Sequence, residues 1–247
     1  MEDPGAALHL ARRFQGKIRT LKVGSRLFTA CGPSLLAELA RYVPSIFLDL
    51  KFHDIPQTVA GSVRAAAALT GVKMLTIHAS GGAAMMKAAR DAAGKRRNHT
   101  KLLAVTVLTS MDAVQLKRSG VGRSPMDQVL HLARMARDAG MDGVITSPLE
   151  IAAVRKACGP NFLIVVPGIR SAPLMPATGF SRRSSSRTKR PASDDQSRVA
   201  TPAAALLAGA DYLVIGRPIL EASDPVAAAD AILREMDSAT RTFKPRK

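Results

Sequence analysis

The sequence predicts an α/β chain folded as a (β/α)8 barrel, with seven strands evident and the first of the eight missing. Three observations lead there. Short apolar runs suited to strands alternate with helical segments along the chain, the pattern of parallel βαβ units with right-handed crossovers. Several of these runs end in the charged, hydroxyl or glycine residues that barrel enzymes gather at the carboxyl ends of their strands. The 247 residues, 47% of them hydrophobic, suffice for one large domain with a substantial core.

Asp3-Pro4 opens a helix over residues 4–15, because proline at the first helical position gives up only an N–H that would have no partner, and Gly16 ends it. Residues 18–24 form a strand in which Lys22 shares a face with Thr20. Helix 35–41, strand 46–52 and helix 56–69 follow, the last opened by Pro56. Strand 73–78 leads into helix 82–93, and strand 102–108 into a helical region over 126–139. Strand 143–146, helix 149–157, strand 162–166, helix 201–208, strand 212–215 and helix 225–236 complete the series. The chain starts in a helix where an eight-stranded barrel would place its first strand, hence the count of seven. One barrel domain is expected over residues 1–240, with a basic tail over 239–247.

The formal net charge of +17 is unevenly spread. Arg182, Arg183, Arg187, Lys189 and Arg190 form one cluster, and Arg241, Lys244, Arg246 and Lys247 another. Without those nine the remainder carries +8, which favours an anionic substrate. With no Trp and two Tyr there are few platforms for stacking bases, so nucleic acid is the weaker partner. Residues 173–193 are too rich in Ser, Arg and Lys to pack, and a disordered insertion is expected there. Cys31 and Cys158 sit in apolar surroundings and read as small core residues in a reducing compartment. No apolar run approaches eighteen residues and no leader pattern opens the chain, so no membrane and a cytoplasmic location are expected. The histidines show no metal-ligand spacing, and neither metal nor cofactor is expected.

The chemistry concentrates in Phe47-Leu48-Asp49-Leu50-Lys51-Phe52-His53-Asp54. On a strand, Leu48, Leu50 and Phe52 project to one face while Asp49 and Lys51 project to the other, and Asp54 follows three residues later. Opposite charges within about 4–6 Å hold each other ionised, which is a catalytic arrangement if that face lines a barrel. The plain alternative is a surface ion pair with Asp54 capping a helix. Other strand ends offer Lys22, His78, Thr109, Ser110, Arg170 and the run Gly216-Arg217-Pro218. His78 reads as a hydrogen-bonded structural histidine. Gly216 and Arg217 resemble a phosphate grip: a glycine admits backbone N–H groups, and an arginine suits bidentate contact. Loops after the last strands are where barrel enzymes commonly bind phosphate.

Five motifs in order, Leu21-Lys22-Val23-Gly24, Asp49-Leu50-Lys51-Phe52-His53-Asp54-Ile55-Pro56-Gln57-Thr58, Val105-Thr106-Val107-Leu108-Thr109-Ser110, Val166-Pro167-Gly168-Ile169-Arg170 and Gly209 through Pro218, resemble orotidine 5′-phosphate decarboxylase. The resemblance implies cofactor-free decarboxylation of orotidine 5′-monophosphate to uridine 5′-monophosphate, by a homodimer whose sites are shared between subunits. It implies that Lys51 protonates C6 of the pyrimidine, and that Lys22, Asp49 and Asp54 complete a charged tetrad. Asp54, Ile55 and Thr58 would then serve the neighbouring subunit's site. Thr109 and Ser110 would lie against the base, and Gln196, Arg170, Arg217 and the N–H of Gly216 would hold the phosphate. The chain departs from the family pattern twice: nothing here matches the aspartate that ends the family's first strand, and the lid after Arg170 is lengthened by the basic segment. Two alternatives stay open: a related magnesium-dependent sugar-phosphate decarboxylase or aldolase on the same barrel, and a catalytically impaired basic binding protein.

Overall fold

A computed structural model describes residues 2–94, 100–170 and 199–242. Strands β1 (Thr20–Gly24), β2 (Ser45–Phe52), β3 (Val72–His78), β4 (Lys101–Val105), β5 (Gly143–Ile145), β6 (Leu163–Val166) and β7 (Tyr212–Leu213) pair in that order as one sheet. Every pairing is parallel. The helices are α1 (Pro4–Arg13), α2 (Ser25–Cys31), α3 (Ser34–Leu39), α4 (Pro56–Ala67), α5 (Gly82–Ala93), α6 (Ala113–Arg118), α7 (Pro125–Asp138), α8 (Ile151–Cys158), α9 (Pro202–Leu207), α10 (Arg217–Leu220) and α11 (Pro225–Thr242). The α/β class and the seven predicted strands are therefore present. The predicted basic insertion, Gln196, His99 and the last five residues of the tail lie outside the described residues. Residues 239–242, expected in the tail, instead extend α11.

Helix starts follow local chemistry. Proline stands in the first turn of α1, α4, α7 and α9. The Asp3 carboxylate accepts from the N–H groups of Gly5 and Ala6, both at 3.0 Å, while Ser124 and Thr201 cap α7 and α9 in the same way. Sequence reading missed α2, α6 and α10. Ser25, Phe28, Thr29 and Cys31 are weak helix formers and no side chain caps α2, so its formation rests on packing. For α6 a signal existed: Asp112 accepts from the Gln115 N–H at 2.8 Å.

The sheet is curled. Phe47, Met74, Leu103 and Val165, from β2, β3, β4 and β6, meet in one inner cluster that also takes in Ile145 and Val214, a convergence open to a sheet only when it bends round on itself. Its other face carries the larger core against the helices, where Leu36, Leu48, Leu75, Ile77, Met85, Met86 and Ile164 are fully buried. Each such side chain contributes about 1.5–3 kcal/mol by leaving water. Cys31 and Cys158 were expected in this core, but both are half-buried at its margin, where burial still pushes the Cys158 thiol up.

At the amino ends of the strands one device is used twice. Asp142, just before β5, accepts from the Leu102 N–H of β4 at 2.7 Å and from Arg90 at 2.6 Å. Asp211, just before β7, accepts from the Ile164 N–H of β6 at 2.7 Å and from Arg155 at 2.6 Å. A carboxylate thus satisfies an N–H that the short neighbouring strand leaves unpaired.

Gly143 shows how closely β5 and β6 approach. A Cβ there would stand 2.2 Å from the Leu163 carbonyl oxygen, a backbone atom that cannot swing away. Gly143→Ala is expected to destabilise the fold by about 3 kcal/mol or more, read as a lower denaturant midpoint. An unchanged midpoint would mean the strands separate at little cost.

The sheet's end strands, β1 and β7, do not pair with each other. Between them a cavity of about 470 Å³ is lined by Leu10, Phe14, Leu21, Leu213, Ile232 and other mostly apolar residues of β1, β7, α1 and α11. Two ion pairs join the elements flanking it, Arg13 with Asp224 at 2.8 Å and Lys17 with Asp230 at 2.8 Å. No helix among the described residues is long and apolar enough to cross a membrane.

Candidate active site

Along β2, Leu48, Leu50 and Phe52 pack into the outer core while Phe47 joins the inner cluster. Asp49 shares the parity of Phe47, so it lies on the concave side at the carboxyl end of the strand, and the Lys51 ammonium is brought to the same side by its contact with Asp49. The Lys51 ammonium donates to both Asp49 oxygens, at 2.9 and 2.8 Å. From β1, whose Gly24 is in register with Asp49, Lys22 brings a second ammonium to 3.5 Å of the same carboxylate. On the other side, the Thr76 hydroxyl of β3 donates to Asp49 Oδ1 at 2.8 Å and accepts from the Lys51 backbone N–H at 2.9 Å.

Lys51 has φ of 52°, the one positive value at a non-glycine residue among the described residues. Such a backbone costs on the order of 1–3 kcal/mol and persists where its surroundings enforce it.

The Asp49 side chain is 12% exposed, against 36% and 37% for Lys22 and Lys51. Burial pushes the Asp49 carboxyl up, but the charges of Lys51 and Lys22 and the hydrogen bonds from Lys51 and Thr76 outweigh it and hold it below the ordinary value of 3.8. Asp49 is therefore ionised at neutral pH. His78 is held below the ordinary imidazole value, first by burial and then by the charges of His53 and Lys51, against the pull of Asp49. The expected hydrogen bond of His78 is not found among the described residues; its ring lies 5.3 Å from that of His53, tilted by 36°.

The arrangement is a buried anion between two cations, on the concave face of a parallel sheet. The family model described as "Orotidine 5'-phosphate decarboxylase / HUMPS family" matches residues 1–232. The chain belongs to this family. A protein of Trichlorobacter lovleyi named orotidine 5′-phosphate decarboxylase is 45% identical over 229 residues, spanning 92% of this chain and 88% of that protein. One of the same name from Nitrosococcus oceani is 48% identical over 232 residues, spanning 94% and 92%. Among solved structures, orotidine 5′-phosphate decarboxylase from Lactobacillus acidophilus superposes with a TM-score of 0.70 at 40% identity, covering 87% of this chain and 86% of that one. An uncharacterized conserved protein from Geobacillus kaustophilus gives a TM-score of 0.77 at 30% identity, covering 96% of both.

In this member of the orotidine 5′-phosphate decarboxylase / HUMPS family, three of the four predicted charged residues come together: Lys22, Asp49 and Lys51. Asp54 does not join them within the chain. Its carboxylate accepts from the Ile55 N–H at 2.6 Å and makes no ion pair among the described residues. Asp54, Ile55 and Thr58 instead form an exposed rim at the start of α4, with Ile55 66% exposed. Thr109 and Ser110 follow β4, and Arg170 follows β6, held by its backbone N–H to the Ala200 carbonyl at 2.9 Å. Gly216 lines the same cavity as Lys22 and Gly24, and Arg217 begins the single turn of α10. The residue sequence reading missed is Thr76. Its only signal was a hydroxyl inside the apolar strand Val72–His78, two positions before His78 and on the same face. Among the described residues no group of three His, Cys, Asp or Glu side chains is placed to hold a metal ion.

Proposed function

We propose that this chain decarboxylates orotidine 5′-monophosphate to uridine 5′-monophosphate in pyrimidine biosynthesis, without a cofactor. The observation that carries the reading is the Asp49 carboxylate held between Lys51 and Lys22 at the carboxyl ends of β1 and β2. Family membership and the name shared by relatives at 45–48% identity support it over the sugar-phosphate alternative.

The chemistry follows from charge. As the bond from C6 to the carboxylate carbon breaks, its electron pair stays on C6 in the ring plane, where the ring system cannot delocalise it. The Lys51 ammonium stabilises that pair and donates the proton that forms the new C6–H bond, then regains one from water. Asp49 orients Lys51 and, next to the departing carboxylate, disfavours the ground state relative to neutral carbon dioxide. Lys22 balances the second negative charge. Thr109 and Ser110 face the base, and Arg170, Gly216, Arg217 and Gln196 hold the phosphate, whose binding energy orders the site.

The exposed rim of Asp54, Ile55 and Thr58 completes the site of a second copy in this reading, making a cytoplasmic homodimer. The (β/α)8 reading assigns the cleft between β1 and β7 to an eighth parallel strand; two parallel edges left without a partner among the described residues, and the apolar lining, support it.

The test is a spectrophotometric assay of orotidylate loss. Turnover without added metal is expected; metal-dependent consumption of a ketose phosphate, with orotidylate untouched, would overturn the reading. Sharing of sites is tested by mixing two inactive proteins, Lys51→Ala and Asp54→Ala. Random re-pairing leaves one intact site in half of the dimers, so about a quarter of wild-type activity is expected to return. No recovery after subunit exchange would place each site within one chain.

A further inference from the structure

We infer that Thr76 is a positioning residue of this site, its one hydroxyl fixing both the Asp49 carboxylate and the backbone that aims Lys51. The inference rests on the site reading given under Proposed function.

The pairing of β2 with β3 shows why a residue is needed there. Leu48 pairs with Leu75 and Phe52 with Ile77, so β2 spends three residues, 49 to 51, where β3 spends one, Thr76. That excursion is a bulge, and bulges re-aim side chains while leaving backbone groups unpaired. The left-handed Lys51 lies within it. Its N–H finds the Thr76 hydroxyl at 2.9 Å, and the single proton of that hydroxyl goes to Asp49 Oδ1 at 2.8 Å. Thr76 is fully buried, with its neighbours Leu75 and Ile77 locked into the outer core, and a β-branched side chain has few rotamers to choose from. One rigid hydroxyl therefore sets the position of the anion and the direction of the cation together.

Thr76→Val keeps the shape and removes the hydroxyl, whereas Thr76→Ser keeps the hydroxyl. In the orotidylate assay Thr76→Val is expected to lose about 10–100-fold in kcat, with KM changed by less than about 3-fold, since displacing reacting groups by about 1 Å costs that order. Thr76→Ser is expected to stay within about 3-fold of wild type. If Thr76→Val does not fold, Thr76→Ala carries the same contrast. A folded Val or Ala protein with wild-type kcat, a Ser variant as impaired as Val, or failure of both hydroxyl-free variants to fold would overturn the inference and leave Thr76 a structural residue. If wild type does not turn over orotidylate, the functional reading fails and Thr76 is judged by a crystal structure of Thr76→Val. Loss of the left-handed Lys51 or of its contact with Asp49 would support the positioning role, and unchanged geometry would overturn it.

Discussion

Orotidylate turnover by Lys51→Ala is expected to fall by about 10⁴-fold or more, because in the proposed mechanism that one substitution removes both the proton donor to C6 and the nearest positive charge to the carbanion. Each of those roles is worth about 10²-fold or more by itself, and in a half-buried site they act on the same electron pair. Lys51→Arg is not expected to rescue the rate. A guanidinium keeps the charge but holds its proton too tightly to give it up, and its planar fork does not fit where the ammonium bonds both Asp49 oxygens. Steady-state kinetics of the three proteins, with nucleotide binding measured separately, checks this. A Lys51→Ala protein within tenfold of wild type would remove Lys51 from the chemistry.

The second large effect lies at the opposite end of the strands. Arg155→Ala is expected to destabilise the protein by about 2–4 kcal/mol, seen as a lower urea midpoint and a melting temperature lower by roughly 5–15 °C. The Arg155 guanidinium donates to the carbonyls of Gly159, Pro160, Phe162 and Gly209 as well as to Asp211. Removing it strands the Asp211 carboxylate and several carbonyls where β6 meets β7. With side-chain exposures of 22% and 31%, the pair is screened from water enough for the loss to register, yet open enough that the full cost of a buried ion pair is not reached. The folded fraction should keep wild-type kcat, since Arg155 touches nothing in the site. An unchanged midpoint would show that the amino-end ties are redundant.

Much of this was legible in the residues. The alternation of Leu48, Leu50 and Phe52 against Asp49 and Lys51 placed the two charges on one face, and the inner cluster around Phe47 confirms that face as concave. The helix-opening prolines announced α1 and α4. What could not be read was the bulge. A straight strand and a bulged one carry the same alternating pattern, so neither the left-handed Lys51 nor its hydroxyl partner on β3 had a signature in β2. The exposed Asp54 shows a related limit. Spacing put it three residues beyond Lys51, but after the strand ends its carboxylate turns to the Ile55 N–H, and no periodicity reports such a turn. The sequence predicts a hydrogen-bonded His78, whereas among the described residues its ring is half-buried beside that of His53 and makes no side-chain hydrogen bond, a distinction made by neighbouring strands.

In the proposed mechanism the lysine beside Asp49 works on C6 of a nucleotide whose phosphate lies at Gly216 and Arg217. A crystal structure with bound uridine 5′-monophosphate tests it most directly. Lys51 Nζ is expected within about 3.5 Å of C6, in line with a proton transfer, and the phosphate against Gly216, Arg217 and Arg170. A nucleotide seated elsewhere, or a pyrimidine whose C6 faces away from Lys51, would contradict it.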